Sequence, residues 1–209
     1  ESWQPRVRLL YSLRGYQYHD LMLREPEALL LGVGRRPSEA ERKRAEGQAQ
    51  EILDRVKRLF SWRLDSDSDL DVAVEHLARG RARLARDLAR GDEPSDAAGS
   101  HLDQAVRLLR EYAAQYRLPC GLLARAAFRR LTEDFEGAAA DLDEALGIAE
   151  HGDMALLQAD ALLERARLGH AQEEVQAARD DLDQAMTLVR KHEYHRRDRE
   201  VADLAAALA

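Results

Sequence analysis

The sequence predicts an all-α fold built as a stack of helical hairpins, and three observations carry that prediction. A hexad recurs as His101-Leu102-Asp103-Gln104-Ala105-Val106, Asp141-Leu142-Asp143-Glu144-Ala145-Leu146 and Asp181-Leu182-Asp183-Gln184-Ala185-Met186, at a constant 40-residue spacing. Seven residues before each central alanine stands another, at Ala98, Ala138 and Ala178. The composition agrees: 45% hydrophobic, 34% charged and only 5% aromatic, so Ala, Leu, Arg and Glu supply helix formers while the β-branched runs of strands are missing.

The repeated unit Ala-x3-Leu-x2-Ala puts its three residues on one helix face. Two small residues around a large one let helices approach closely while Leu fills the gap. The Asp beside that Leu is expected to face away into solvent. A weaker copy lies upstream as Ala49-x3-Leu53-x2-Val56, with Asp54 in the place of Asp103.

Taken in order, the elements are four hairpins over 5–64, 68–117, 118–152 and 153–194 and a closing helix over 197–209, all within one domain of residues 1–209. Within them, Leu70–Arg90, Leu118–Thr132 and Met154–Gly169 read as the helices that precede each signature helix, with apolar residues at three- and four-residue intervals. Turn material separates the pairs: Gly91–Asp96, Glu133-Asp134 and Gly169-His170. Asp134 and either Ser95 or Asp96 suit N-caps. Glu25–Ala40, with Gly32-Val33-Gly34 and Pro37, is an insertion that the repeat does not explain.

The segment Phe135-x2-Ala138-x3-Leu142-x2-Ala145 resembles the second helix of a tetratricopeptide repeat. Tyr11, Gly15 and Tyr18 resemble the first-helix pattern, with Gly80 in the same place in the second repeat. The usual period of that family is shorter, Arg129 stands where an aromatic is usual, and Glu133 where glycine is usual. HEAT-type arrays also run near this length, but the small-large-small second helix favours the tetratricopeptide reading. The resemblance implies a right-handed superhelix whose first helices line a concave groove, and it places Tyr16, His19, Arg81, Arg130 and Arg167 toward that groove. Arg14–Tyr18, Leu118–Ala126 and Tyr194–Asp198 also look like the C-terminal repeat arrays of bacterial NACHT- or STAND-type signalling proteins. That implies a sensor or regulatory arm of a larger defence or signalling protein.

The function expected is therefore protein–protein interaction: the stack holds a protein or peptide, and an Arg-bearing groove suits an acidic segment or a C-terminal carboxylate. The alternative is a non-catalytic fragment that orders the catalytic domain of a multidomain enzyme. Net charge is −7, which argues against a nucleic-acid partner. The bases are nearly all Arg, with Lys only at Lys43, Lys57 and Lys191; a GC-rich genome gives the same bias as selection for carboxylate recognition.

Catalytic chemistry is not expected. Gly32-Val33-Gly34 lacks the Gly-Lys-Ser/Thr ending of a phosphate loop. Asp134-Phe135-Glu136-Gly137 and His195-Arg196-Arg197-Asp198 have neither the order nor the spacing of kinase motifs. His192 and His195 have no third ligand, and Cys120 is the single cysteine, so neither metal nor cofactor is expected and no intrachain disulfide can form. No apolar run spans a membrane. A cytoplasmic location is expected, as is a chain cut from a longer protein, because Glu1-Ser2-Trp3-Gln4-Pro5 is no signal peptide and lacks a starting Met.

Overall fold

The computed structural model describes residues 12–61 and 68–209; Tyr11 and the ends of the first expected hairpin lie outside them. All regular secondary structure among the described residues is helical, with no strand. They form α1 (Ser12–Leu30), α2 (Glu39–Ser61), α3 (Asp69–Arg90), α4 (Asp96–Glu111), α5 (Leu118–Leu131), α6 (Phe135–His151), α7 (Ala155–Ala171), α8 (Val175–Lys191) and α9 (Asp198–Ala207), with a 3-10 turn at His195–Arg197. Two compact units divide them: residues up to Glu27 with Ser38–Tyr112, and Ala28–Pro37 with Ala113–Ala209.

In the first unit α3 packs on α2 and on α4. Gly80 is where α3 touches α4, since a Cβ there would stand 2.8 Å from the Leu102 side chain and 3.2 Å from the Ala98 carbonyl oxygen. In the second unit α5 to α9 pack each on the next, and α5 also meets α7. There Gly169 of α7 backs onto Ala178 of α8, with 3.2 Å from its would-be Cβ to the Ala178 Cβ. All nine signature residues are internal: Ala98, Leu102, Ala105, Ala138, Leu142, Ala145, Ala178, Leu182 and Ala185 are each at most 4% exposed. The stripe that repeats is thus the stripe that packs, and its smallness sets how closely each hairpin closes.

The turns repeat as well, at half the sequence period. Ala113, Glu133, Asp153, Glu173 and Glu193 recur every 20 residues, and each has a positive φ, between 51° and 63°. At the last four, the next backbone N–H returns to a carbonyl five residues back: Asp134 to Arg129 (2.9 Å), Met154 to Ala149 (2.8 Å), Glu174 to Gly169 (2.8 Å) and Tyr194 to Val189 (2.9 Å). These are Schellman-type helix ends, made here with side-chain-bearing residues where glycine is the usual choice. The turn after α3 uses Gly91, at φ 82°, in the same role.

Two capping expectations resolve differently. Asp134 caps α6, accepting from the Gly137 N–H at 3.0 Å. Ser95 occupies the N-cap position of α4 without making the cap bond; its hydroxyl instead donates to the buried Asp87 carboxylate at 2.6 Å. The Glu25–Ala40 insertion is partly helix. α1 continues through Pro26 to Leu30, and α2 begins at Glu39 behind a capping box in which Ser38 and Glu41 bond reciprocally (2.9 and 3.3 Å).

Candidate functional site

The first-helix arginines are the strongest chemistry the sequence offers, and Arg81, Arg130 and Arg167 among them are at most 10% exposed at the side chain. In the first unit Arg81 of α3 reaches α1. Its Nε and Nη2 donate to the two carboxylate oxygens of Glu27 at 2.7 Å each, Nη2 also to Asp20 at 2.9 Å, and Nη1 to the Tyr16 hydroxyl at 3.4 Å. Burial opposes the Arg81 charge, but Glu27, Tyr16 and Asp20 outweigh it and hold its pKa well above the ordinary value. Tyr16 is 5% exposed and His19 2%.

His19 is enclosed without a partner for Nε2. Burial first, then the positive charges of Arg55 and Arg81, push its pKa down to about 4.

In the second unit the arginines form a ladder across α5, α7 and α9. Arg130 of α5 donates to Glu164 of α7 at 2.7 Å. Arg167, from the same α7 turn, bonds Glu164 at 2.9 Å and reaches forward to Glu200 of α9. Arg197 then joins Glu200 to Asp160, the latter at 2.7 Å, and the Tyr194 hydroxyl also donates to Asp160 at 3.2 Å. Burial alone would raise the Glu200 pKa; Arg167 and Arg197 prevail and hold it below its ordinary value. Burial and Asp160 together push the Tyr194 phenol up to about 12.

The five groove residues therefore fall into two internal clusters, Tyr16, His19 and Arg81 in one unit and Arg130 and Arg167 in the other. Each of the five is enclosed by, or hydrogen-bonded to, the chain's own residues. The chain's own carboxylates meet the cations of Arg81, Arg130 and Arg167. Desolvating a guanidinium costs several kcal/mol unless partners of this quality meet it, so such charges are drawn to each other before any ligand.

A second set of pairs closes the hairpins. Arg125 grips Asp141 bidentately at 2.9 and 2.7 Å, and Arg165 grips Asp181 at 2.8 and 2.6 Å. Each acceptor stands three residues after a signature alanine. The Asp after the signature Leu is exposed at Asp103, Asp143 and Asp183, as expected, but the one before it, at 141 and 181, is an ion-pair acceptor. In the second hairpin that place belongs to His101. Its Nδ1 lies 3.0 Å from His76 Nδ1, and His76 precedes Gly80 by four residues just as Arg165 precedes Gly169. Burial, His76, Arg79 and Arg83 push His101 down to about 4. A pair of imidazoles thus stands where the other two hairpins have an Arg–Asp clasp.

The comparisons settle no family. No protein-family model matches the chain, and neither a curated protein nor a solved structure matches it.

Sequence reasoning missed an open cleft of about 500 Å³ on the outer side of α6. Gly147, Ile148, Gly152 and Met154 line it together with the polar side chains of Gln115, Asp143, Glu144 and His151. A Cβ at Gly147 would meet nothing within 4 Å, whereas one at Gly152 would strike Met154 Cε at 2.7 Å. Gly152 thus seats the methionine against the turn, and Gly147 leaves the floor open. The signal was available: the residues one period either side of Gly147 are Arg107 and Thr187, so a bare helix position stands alone in the repeat. No helix among the described residues is long and apolar enough to cross a membrane. No group of three or more candidate metal-ligating side chains occurs among them either.

Proposed function

We propose that the chain is a protein-interaction module of tetratricopeptide type that holds a partner segment on the outer face of α6. The cleft bounded by Gly147, Ile148 and Met154 carries this reading. Its volume falls in the range of ligand sites, and its lining is mainly apolar. A glycine inside a helix costs about 1 kcal/mol relative to alanine, and here no neighbouring atom requires it.

The rim selects the partner's chemistry. Asp143 is 74% exposed, with Arg165 no nearer than 3.9 Å, and Glu144 lies one residue on. An apolar side chain flanked by Lys or Arg fits this cleft. This reading differs from the acidic partner expected from the sequence, and it is supported by the pairing of Arg81, Arg130 and Arg167 with carboxylates of the chain itself.

Panning a random displayed-peptide library on the folded chain tests the proposal. Enriched sequences should combine an apolar anchor with an adjacent base, and should lose at least tenfold in affinity on Ile148→Asp and on Asp143→Arg. Their binding should also weaken with salt, since exposed charge contacts are screened over about 8 Å. Enriched peptides that bind a folded Ile148→Asp variant as well as the parent would remove the cleft from the account, as would a library yielding no enrichment.

A further inference from the structure

The face on which α5, α7 and α9 are joined by Arg130, Glu164, Arg167 and Glu200 is not bare. The segment joining α1 to α2 lies on it. Arg130, 7% exposed, donates from Nη2 to the Leu31 carbonyl oxygen at 3.0 Å, in addition to its bond with Glu164. Val33 packs against the core shared by α7, α8 and α9. Gly34 sits at φ +87° against α9, where a Cβ would stand 2.8 Å from the Asp203 carbonyl oxygen and 3.1 Å from the Ala207 Cβ. The pocket between the segment and α9 has a volume of about 10 Å³, at the lower limit for a single water.

The attachment is specific in shape and slight in extent. Residues 32–37 make none of the backbone–backbone hydrogen bonds found outside the helices. Residues 34–36 are exposed. Pro26 and Pro37 flank the segment: Pro26 removes a hydrogen-bond donor from α1 just before it, and Pro37 precedes the capping box that starts α2. Few buried contacts and little hydrogen bonding place such a segment at the low end of local stability.

From this we infer that the α5–α7–α9 face is a peptide-binding surface that the chain keeps occupied with its own residues 31–35. Its ligand is an extended segment that offers a backbone carbonyl to Arg130, a β-branched side chain to the α7–α9 core, and a glycine where the backbone crosses α9. The inference stands apart from the α6 cleft and shares no residue with it. A tethered segment competes at an effective concentration on the order of mM, so a free peptide of ordinary affinity is excluded while the strap stays in place.

The test uses a fluorescein-labelled synthetic peptide of residues 28–37 and the full chain. Gly34→Ala strikes the Asp203 backbone at a positive φ and dislodges the strap without altering any helix. Peptide affinity for this variant should exceed that for the parent by at least tenfold, and trypsin should cut after Arg35 at least tenfold faster. Val33→Ser, which weakens the core contact alone, should shift both readouts in the same direction and serves if the glycine variant does not fold. Equal affinity for parent and folded variants, no binding to either variant, or unchanged cleavage after Arg35 overturns the inference.

Discussion

At the scale of the residue, burial decides what each ionisable group does. His19 is 2% exposed, and its pKa is pushed to about 4 by burial and by Arg55 and Arg81. The unfolded imidazole takes a proton below its ordinary 6.5, whereas the folded one stays neutral down to about 4. Its contribution to stability is therefore complete above pH 6.5 and is lost as the pH falls toward 4. A shift of that size corresponds to about 3 kcal/mol across the window. His101, also near 4, steepens the loss in the same direction. Urea titrations from pH 7.5 to 4 should show stability falling with pH, and His19→Leu should flatten part of that slope; an unchanged slope would mean that His19 titrates at its ordinary value. The sequence marked His19 as notable from family offsets but gave no sign of its burial. Likewise the sequence singled out Arg81, Arg130 and Arg167, while their pairing within the chain was hidden. It depends on Glu27, Glu164 and Glu200, which the fold brings close from 33 to 54 residues away.

At the scale of the element, the helices and the turns at Gly91–Asp96 and Glu133-Asp134 were legible, whereas Gly169-His170, expected as a turn, lies inside α7, which runs on to Ala171 before turning. The signature alanines fixed α4, α6 and α8 because period and packing are the same fact: a small residue every seventh position is where the neighbouring helix comes closest. The turns obey backbone geometry that composition conceals, since Glu133, Asp153, Glu173 and Glu193 hold a left-handed φ that glycine would adopt freely. Holding an L-residue there costs roughly 1–2 kcal/mol, and glycine gives back part of that gain in unfolded-state entropy. Glu133→Gly and Glu173→Gly should each stabilise the chain by about 0.5–1 kcal/mol, seen as a higher denaturation midpoint at constant m-value. Both side chains are exposed, so no packing loss competes. A lower midpoint for either variant would show that the side chain, not the backbone, secures the turn. The insertion was half legible for a related reason. Gly32, Gly34 and Pro37 announced irregular backbone, yet Pro26 concealed that α1 runs on to Leu30, because a proline reads as a helix stop in sequence and is tolerated where surrounding packing holds the helix.

At the scale of the whole molecule, the repeat predicts how the chain comes apart. Each hairpin buries its stripe against its sequence neighbours, so stability in such arrays is a sum of local and nearest-neighbour terms rather than one global quantity. The described residues bear this pattern in two compact units, each with a core of its own. Leu182 sits at 4% exposure in the core shared by α7, α8 and α9, and the Arg167–Glu200 and Arg197–Asp160 pairs tie the same helices together. Leu182→Ala should cost about 2–5 kcal/mol by opening a cavity there. In a nearest-neighbour array that loss stays local: native-state hydrogen exchange should show lower protection for amides of α7, α8 and α9, while amides of α3 and α4, packed around Gly80 and Leu102, keep theirs. A uniform loss of protection across α3 to α9 would instead make the chain one cooperative body, and the strap and the α6 cleft would then open and close with the whole molecule rather than with their own hairpins.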